Sequence, residues 1–249
     1  MTAPVFVVDE LVPGGPTFLL EGPEGRHAVS VKRLQPGEAV VLTDGRGRWT
    51  EGVVEAAEGK DRLVVGGLAE VREEPPPSPR ITVVQALPKG DRGELAVETM
   101  TETGVDAIVP WSAARCITQW KGERGAKALA KWRATAREAG KQSRRTRFPE
   151  VAALAGGKQV AELLARADLA VVLHEDRDYP GEALATAELP ARGEIVLVVG
   201  PEGGVSPQEL ELFTAAGAKA CRLGRSVLRT STAGTAAVAL LLGRTGRWS

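Results

Sequence analysis

One apolar run constrains the fold more than any other stretch of the chain. Ile195-Val196-Leu197-Val198-Val199 is rich in β-branched residues and has no polar break, so it reads as a strand buried on both faces. Gly200-Pro201-Glu202-Gly203-Gly204 follows at once, and Ser206-Pro207-x-Glu209 reads as a helix start, with Ser206 as N-cap and Pro207 in the first helical position. A short strand over Ala218–Leu223 leads to a second turn, Gly224-Arg225-Ser226. Leu228-Arg229-Thr230-Ser231-Thr232-Ala233 then enters the Ala-rich segment Gly234–Leu242, a predicted buried helix. Two glycine turns, each at the C-terminal end of a parallel strand, mark the place where an open α/β sheet binds a ligand.

The rest of the chain divides around a stiff linker. Residues 1–72 alternate short strands with Gly-rich turns, which predicts a small β-barrel; Arg26–Leu34 is expected to form one short helix. Residues 73–79 hold four prolines in five positions and read as an extended linker. From residue 80 to 249 strands and helices alternate, which predicts a mainly parallel sheet with helices on both faces. Helices are expected over Gly90–Thr103, Glu123–Gly140, Gln159–Ala165 and Pro180–Thr186. The tetrapeptide Gly-Pro-Glu-Gly occurs twice, at 22–25 and 200–203. Alone it reads as a turn, and only its strand-turn-helix setting gives the second copy weight.

Several function classes are disfavoured. No apolar run approaches the roughly 18 residues of a membrane span, and the N-terminus carries no signal-peptide pattern. Cys116 and Cys221 fit no metal spacing and read as reduced core thiols of a cytoplasmic protein. The glycine turn at 200–204 lacks the dinucleotide pattern Gly-x-Gly-x-x-Gly and the phosphate-loop Gly-Lys-Ser/Thr. With His27 and His174 the only histidines, and no Ser or Cys paired to either, triad hydrolysis is not expected, and no metal cluster is visible. His174 and Glu175 follow the strand Leu169–Leu173 and so belong at the same sheet edge, with His174 a possible base or a hydrogen-bonded loop residue.

Charge points to a polyanion despite a net charge of zero. Residues 1–74 hold 8 Lys+Arg against 13 Asp+Glu, whereas Lys121–Arg147 hold 10 against 2. Trp120, Trp132 and Gln142 interleave those cations, a pattern suited to phosphates and unpaired bases, though it also describes a solvated helix face. Arg229 with Thr230, Ser231 and Thr232 can bind a phosphate or a polar base edge, or cap a helix.

These residues resemble a known family. Val198–Gly204 followed by Leu223–Thr230 is similar to the SPOUT methyltransferases, and within them to the RsmE family of 16S ribosomal RNA uridine N3-methyltransferases. His27–Leu34, Gly37-Glu38 and Asp44-Gly45 resemble that family's PUA-like RNA-binding module, and Glu138–Phe148 its Glu-Gln-Ser-x-Arg segment. The resemblance implies an α/β trefoil-knot methyltransferase domain, a rare exception to the rule against threaded loops. It implies S-adenosylmethionine in the knot loops, S-adenosylhomocysteine as product, and a homodimer acting on 16S rRNA or the small ribosomal subunit, with no DNA or membrane partner. By carry-over the cofactor lies against Leu173, His174, Glu175, Val199, Gly200, Pro201, Glu202, Gly203, Leu223, Gly224, Val227, Leu228, Thr230 and Ala233. RNA is expected on Arg26, His27, Arg33, Lys141, Gln142, Arg144 and Arg145. Arg229 is expected to orient uracil or phosphate, with Glu202 and Ser231 assisting the proton or the base edge. The chain departs from the family pattern at Ser231, where relatives commonly carry an acid, and at Gly140, near which they carry glutamine or alanine.

Three readings follow. The first is a methyltransferase acting on a uridine of 16S rRNA, or on another RNA. The second is an RNA-binding assembly factor with a non-catalytic knot domain. The third is a nucleotide-binding α/β enzyme of ordinary topology. Affinity for S-adenosylmethionine separates the first from the second; chain threading separates the first from the third.

Overall fold

The protein is seen in a computed structural model that describes residues 3–11, 16–174 and 182–248. It divides into two units. The first comprises Met1–Pro76 with Gly140–Phe148, and the second Pro77–Ala139 with Pro149–Ser249.

In the first unit, β1 (Val5–Val7) pairs parallel with β3 (Ala39–Thr43). From β3 an antiparallel path runs through β4 (Arg48–Glu58) and β5 (Arg62–Gly66) to β2 (Thr17–Leu20), and β6 (Arg72–Glu73) pairs with β4. Thr50, Gly52 and Val54 of β4 are buried while Glu51, Val53 and Glu55 face water, the period of two that a half-covered strand requires. Phe6, Leu20, Ala28, Val40, Leu42, Val54, Leu63 and Val65 share one core. The first Gly-Pro-Glu-Gly is not a turn. It opens α1 (Gly22–Arg26), with Pro23 in the first turn, and the chain continues as a π-type turn over His27–Val31. Gly25 is fixed by contact, because a Cβ there would collide with the carbonyl of Asp61.

The segment Gly140–Phe148, expected in the C-terminal domain, belongs to this first unit. Phe148 donates to the Gly45 carbonyl at 2.8 Å, Gly47 to Thr146 at 3.0 Å, and the Arg147 guanidinium to Glu74 at 2.6 Å. The Lys141 ammonium meets Glu24 at 3.0 Å, with 6% and 12% of their side chains exposed. Lys141 is thus corrected from an RNA contact to an internal tie. Sequence counts its charge but does not show a carboxylate 117 residues away. Gly140 also has a reason: a Cβ there would stand 2.6 Å from the Phe148 ring.

The second unit is built on β12 (Glu194–Val199), which pairs with β7 (Arg80–Ala86) on one edge and β10 (Leu169–Leu173) on the other. β8 (Ala107–Trp111) and β9 (Glu150–Val151) extend the sheet beyond β7; β13 (Lys219–Arg222) and β11 (Glu182–Ala183) extend it beyond β10. Every pairing is parallel. Ile195, Leu197 and Val199 enter one core with α2 (Arg92–Thr103), Trp132 of α3 (Gly122–Gln142) and α6 (Thr230–Arg244). Val196 and Val198 enter another with α4 (Gly157–Leu164) and α5 (Pro207–Ala215). Double burial therefore follows from the unbroken apolar run. The helix expected over 180–186 is absent from its described part. Glu182–Ala183 instead pairs with β13, and Leu184 donates to the Arg222 carbonyl at 2.8 Å, so sheet pairing satisfies that backbone. Among the described residues no helix is long and apolar enough to cross a membrane.

Removing one partner of the Lys141–Glu24 pair strands a buried charge. Lys141→Met is expected to destabilise the protein by about 3 kcal/mol in urea titration, and Glu24→Gln combined with Lys141→Met to recover most of that loss. Equal losses for single and double variants would contradict a coupled pair.

Candidate functional site

The chain moves outward from β7 to β9, then returns to the far side of β12 to add β10 and β13. Loops from the C-terminal ends of β7, β12, β10 and β13 therefore leave a crevice between them, as at the switch point of an open parallel sheet. A cavity of about 680 Å³ lies there. Its wall takes Lys89, Gly90 and Arg92 from the β7–α2 connection, Leu173 and His174 from β10, and Val199, Gly200, Pro201, Glu202, Gly204 and Val205 after β12. The β13–α6 connection adds Leu223, Gly224, Ser226, Val227, Leu228 and Arg229, and α6 adds Thr230 and Ala233.

Local chemistry sets each wall. Gly204, at φ +73°, donates to the Pro201 carbonyl at 2.8 Å and closes the glycine turn. Ser206 and Glu209 then form a reciprocal capping box at the start of α5. Glu209 also accepts from the Ala114 N–H at 2.7 Å, and Arg115 donates to the Gly203 carbonyl at 2.9 Å. The Lys89 N–H donates to Glu202 at 3.3 Å, and the Thr118 hydroxyl to the Pro88 carbonyl at 2.8 Å. Three loops are thereby tied into one hydrogen-bonded wall.

The opposite wall is set by the start of α6. Arg229 is its N-cap residue, in extended conformation, and its carbonyl accepts from Thr232 and Ala233 at 2.8 and 2.9 Å. Its side chain makes no cap bond and lines the cavity. Buried Gln85 of β7 donates to the Thr230 carbonyl at 3.3 Å, and Gly234 lets that strand and Met100 approach, since a Cβ there would stand 2.6 Å from the Met100 sulfur. His174 N–H donates to the Cys221 carbonyl at 3.0 Å and carries the sheet pairing to the cavity rim.

Of the described residues predicted to hold the cofactor, the cavity wall gathers all but Gly203, and of the three predicted catalytic residues it gathers all but Ser231. Glu175 lies outside the described residues. Gly203 is beside the cavity rather than on its wall, with its carbonyl turned to Arg115. Ser231, expected near the reacting base, is 5% exposed and off the wall: it is one residue into α6, where the helix turn carries its side chain into the interior. Arg229 and Glu202 do share the cavity.

Lys89, Gly90 and Arg92 escaped sequence reasoning, although Lys89-Gly90 follows the strand through Leu87 just as Gly200 follows β12. Arg115 and Gln85 left no sequence signal, because each acts through a distant carbonyl. Burial, the largest cause, pushes the Cys116 and Cys221 thiols up, so neither offers a thiolate near neutral pH.

The cavity has room for a nucleoside with an amino-acid tail. Its lining is largely aliphatic, and at Gly90 and Gly224 a Cβ would meet no protein atom within 4 Å, so the missing side chains leave space. These residues fit S-adenosylmethionine.

The predicted RNA residues other than Lys141 lie in the first unit with polar groups at or near the surface. Arg26, Arg33, Gln142 and Arg144 are exposed, and His27 and Arg145 are half-buried. The Lys141–Glu24 tie brings the basic segment to α1, two residues before Arg26.

Known proteins share this architecture. An RNA methyltransferase domain matches residues 74–242, and an RNA methyltransferase PUA domain matches residues 20–66. The ribosomal RNA small subunit methyltransferase E of Mycobacterium bovis is 45% identical over 100% of this chain and 94% of its own length. That of Bacillus subtilis is 31% identical over 88% of this chain and 86% of its own. The crystal structure of a Neisseria gonorrhoeae ribosomal RNA small subunit methyltransferase E bound to S-adenosylmethionine is 32% identical, with a TM-score of 0.84 over 98% of both chains. With a methyltransferase domain spanning the second unit's sheet and a full-length relative at 45% identity, the chain belongs to the ribosomal RNA small subunit methyltransferase E family.

Proposed function

We propose that this chain transfers the methyl group of S-adenosylmethionine to N3 of one uridine in 16S rRNA, as a cytoplasmic homodimer whose C-terminal loops are threaded in a trefoil knot. The observation that carries this reading is one cavity, at the C-terminal ends of four adjacent parallel strands, lined by both an aliphatic pocket and the polar pair Arg229 and Glu202.

When bound, S-adenosylmethionine supplies a methyl group already activated by its sulfonium, so no metal is needed. The main-chain groups of Gly200–Glu202 and Leu223–Leu228 hold the adenosine, and Val199, Leu223 and Ala233 exclude water from it. Uridine N3 carries a proton and must lose it as it attacks. Glu202 accepts that proton, and the Arg229 guanidinium steadies the negative charge that spreads onto the uracil oxygens. Ser231 supports α6 from the interior and does not touch the reacting atoms. Within the first unit, Arg26, His27, Arg33, Gln142, Arg144 and Arg145 engage the RNA flanking the target.

The direct test compares methylated nucleotides in 16S rRNA from cells with and without this protein. Loss of one N3-methyluridine supports the reading, and an unchanged map sinks it. Arg229→Ala is expected to lower kcat about 100-fold in a methyl-transfer assay, as for loss of one charge-stabilising group, while the Kd for S-adenosylmethionine shifts less than about threefold. Glu202→Gln is expected to lower kcat by about 100-fold with cofactor affinity preserved; near-normal turnover would remove it as proton acceptor. Gly224→Leu fills cavity space without backbone strain. Calorimetry is expected to show S-adenosylmethionine affinity falling by about tenfold or more at unchanged melting temperature, a loss of about 1.4 kcal/mol. No saturable cofactor binding by the unaltered protein would favour an assembly factor instead.

A further inference from the structure

Among its described lining residues the cavity carries more cations than carboxylates. Lys89, Arg92 and Arg229 line it, and Glu202 is the one carboxylate among its described lining residues. Among the described residues no ion pair occupies any of the three cations. S-adenosylmethionine offers one carboxylate against an ammonium and a sulfonium, so it is itself a net cation. Lys89 and Arg92 on the β7–α2 connection and Arg229 on the wall across from it all repel such a ligand, and like charges brought together in a partly enclosed site cost free energy. An anionic group of the substrate suits these described cations better than the cofactor does.

We propose that Lys89 and Arg92 form a subsite for an RNA phosphodiester beside the target nucleotide, while Arg229 faces the uracil. The inference rests on the reading of the chain as an RNA methyltransferase, and names where its substrate backbone lies. A nucleotide presented to the cavity carries a phosphate on each side of its sugar, and those phosphates must stay near the mouth while the base enters. Lys89 is exposed and Arg92 half-buried, and both line the cavity. The β7–α2 connection that bears them is fixed rather than floppy. The Lys89 N–H is held by Glu202 at 3.3 Å and the Pro88 carbonyl by Thr118 at 2.8 Å, so the main chain leading to both cations is held in place. These ties use main-chain atoms of residues 88 and 89, so replacing the Lys89 and Arg92 side chains leaves them intact. Phosphate contacts of this kind position the nucleic acid and carry no base specificity.

The test uses the full-length Lys89→Ala/Arg92→Ala protein beside the unaltered one. Methyl transfer to 16S rRNA is measured, together with RNA binding across a salt series and calorimetry with S-adenosylmethionine. The expected result is a KM for RNA raised about tenfold or more, with kcat and cofactor Kd each within about twofold. The slope of log affinity against log salt should fall by about 0.7 for each single-stranded phosphate that no longer meets a cation. Lys89→Arg/Arg92→Lys should restore both, since charge and not shape is at issue. An unchanged KM and salt slope would overturn the subsite. So would a weakened cofactor Kd with RNA binding intact, which would assign the cations to the methionine carboxylate. If the unaltered protein transfers no methyl group to rRNA, the proposed reaction fails, while the salt slopes still decide whether these cations meet RNA phosphate.

Discussion

Everything in the second unit depends on covering both faces of β12 at once. Its side chains alternate between two cores, Ile195, Leu197 and Val199 into one and Val196 and Val198 into the other. Its backbone is spent on β7 and β10 at its two edges. A strand this committed cannot shift register without moving five apolar side chains into the wrong layer. The chain that leaves it has no neighbour to pair with and must turn, and the glycines at 200, 203 and 204 make that turn. The cavity is the space this turn shares with the ends of β7, β10 and β13.

A cavity between loops holds a ligand well only if the loops keep their places. Here they are tied by Glu202 on the cavity wall and by side chains that lie off it. Arg115 reaches the Gly203 carbonyl, and Glu209 spends one oxygen on the Ala114 N–H and the other on Ser206. On the far wall, Arg229 starts α6 with its main chain, and its side chain stays out of the cap and lines the cavity. Arg115 and Glu209 thus fix, from off the wall, the loops whose other residues line the cavity.

The same tetrapeptide shows how setting decides conformation. At 22–25 Gly-Pro-Glu-Gly starts a helix, because Pro23 suits the first turn and Gly25 passes against the Asp61 carbonyl. At 200–203 it follows a doubly buried strand and becomes a loop around a cavity. The carboxylates diverge as well. Glu24 binds Lys141 inside its unit, and Glu202 lines the cavity.

Hydrophobic periodicity and glycine placement are local, so the sequence alone determined the parallel sheet, the buried central strand, the capped start of α5 and the two glycine turns. Glu202 was legible within the first turn and Arg229 at the helix start after the second, and the resemblance to the RsmE family gave both their expected roles. Long-range pairing is not local, and only the tertiary structure decided it. It moved Gly140–Phe148 to the first unit through bonds to Gly45, Gly47 and Glu74, and turned Lys141 from a surface charge into a buried tie. It carried Ser231 off the wall through helix phase, made Glu182–Ala183 a strand by offering β13 as partner, and brought Lys89 and Arg92 beside cavity residues that begin at Leu173, far along the chain. Each outcome depends on which groups meet after the sheet has formed, and no pattern of neighbouring residues encodes that.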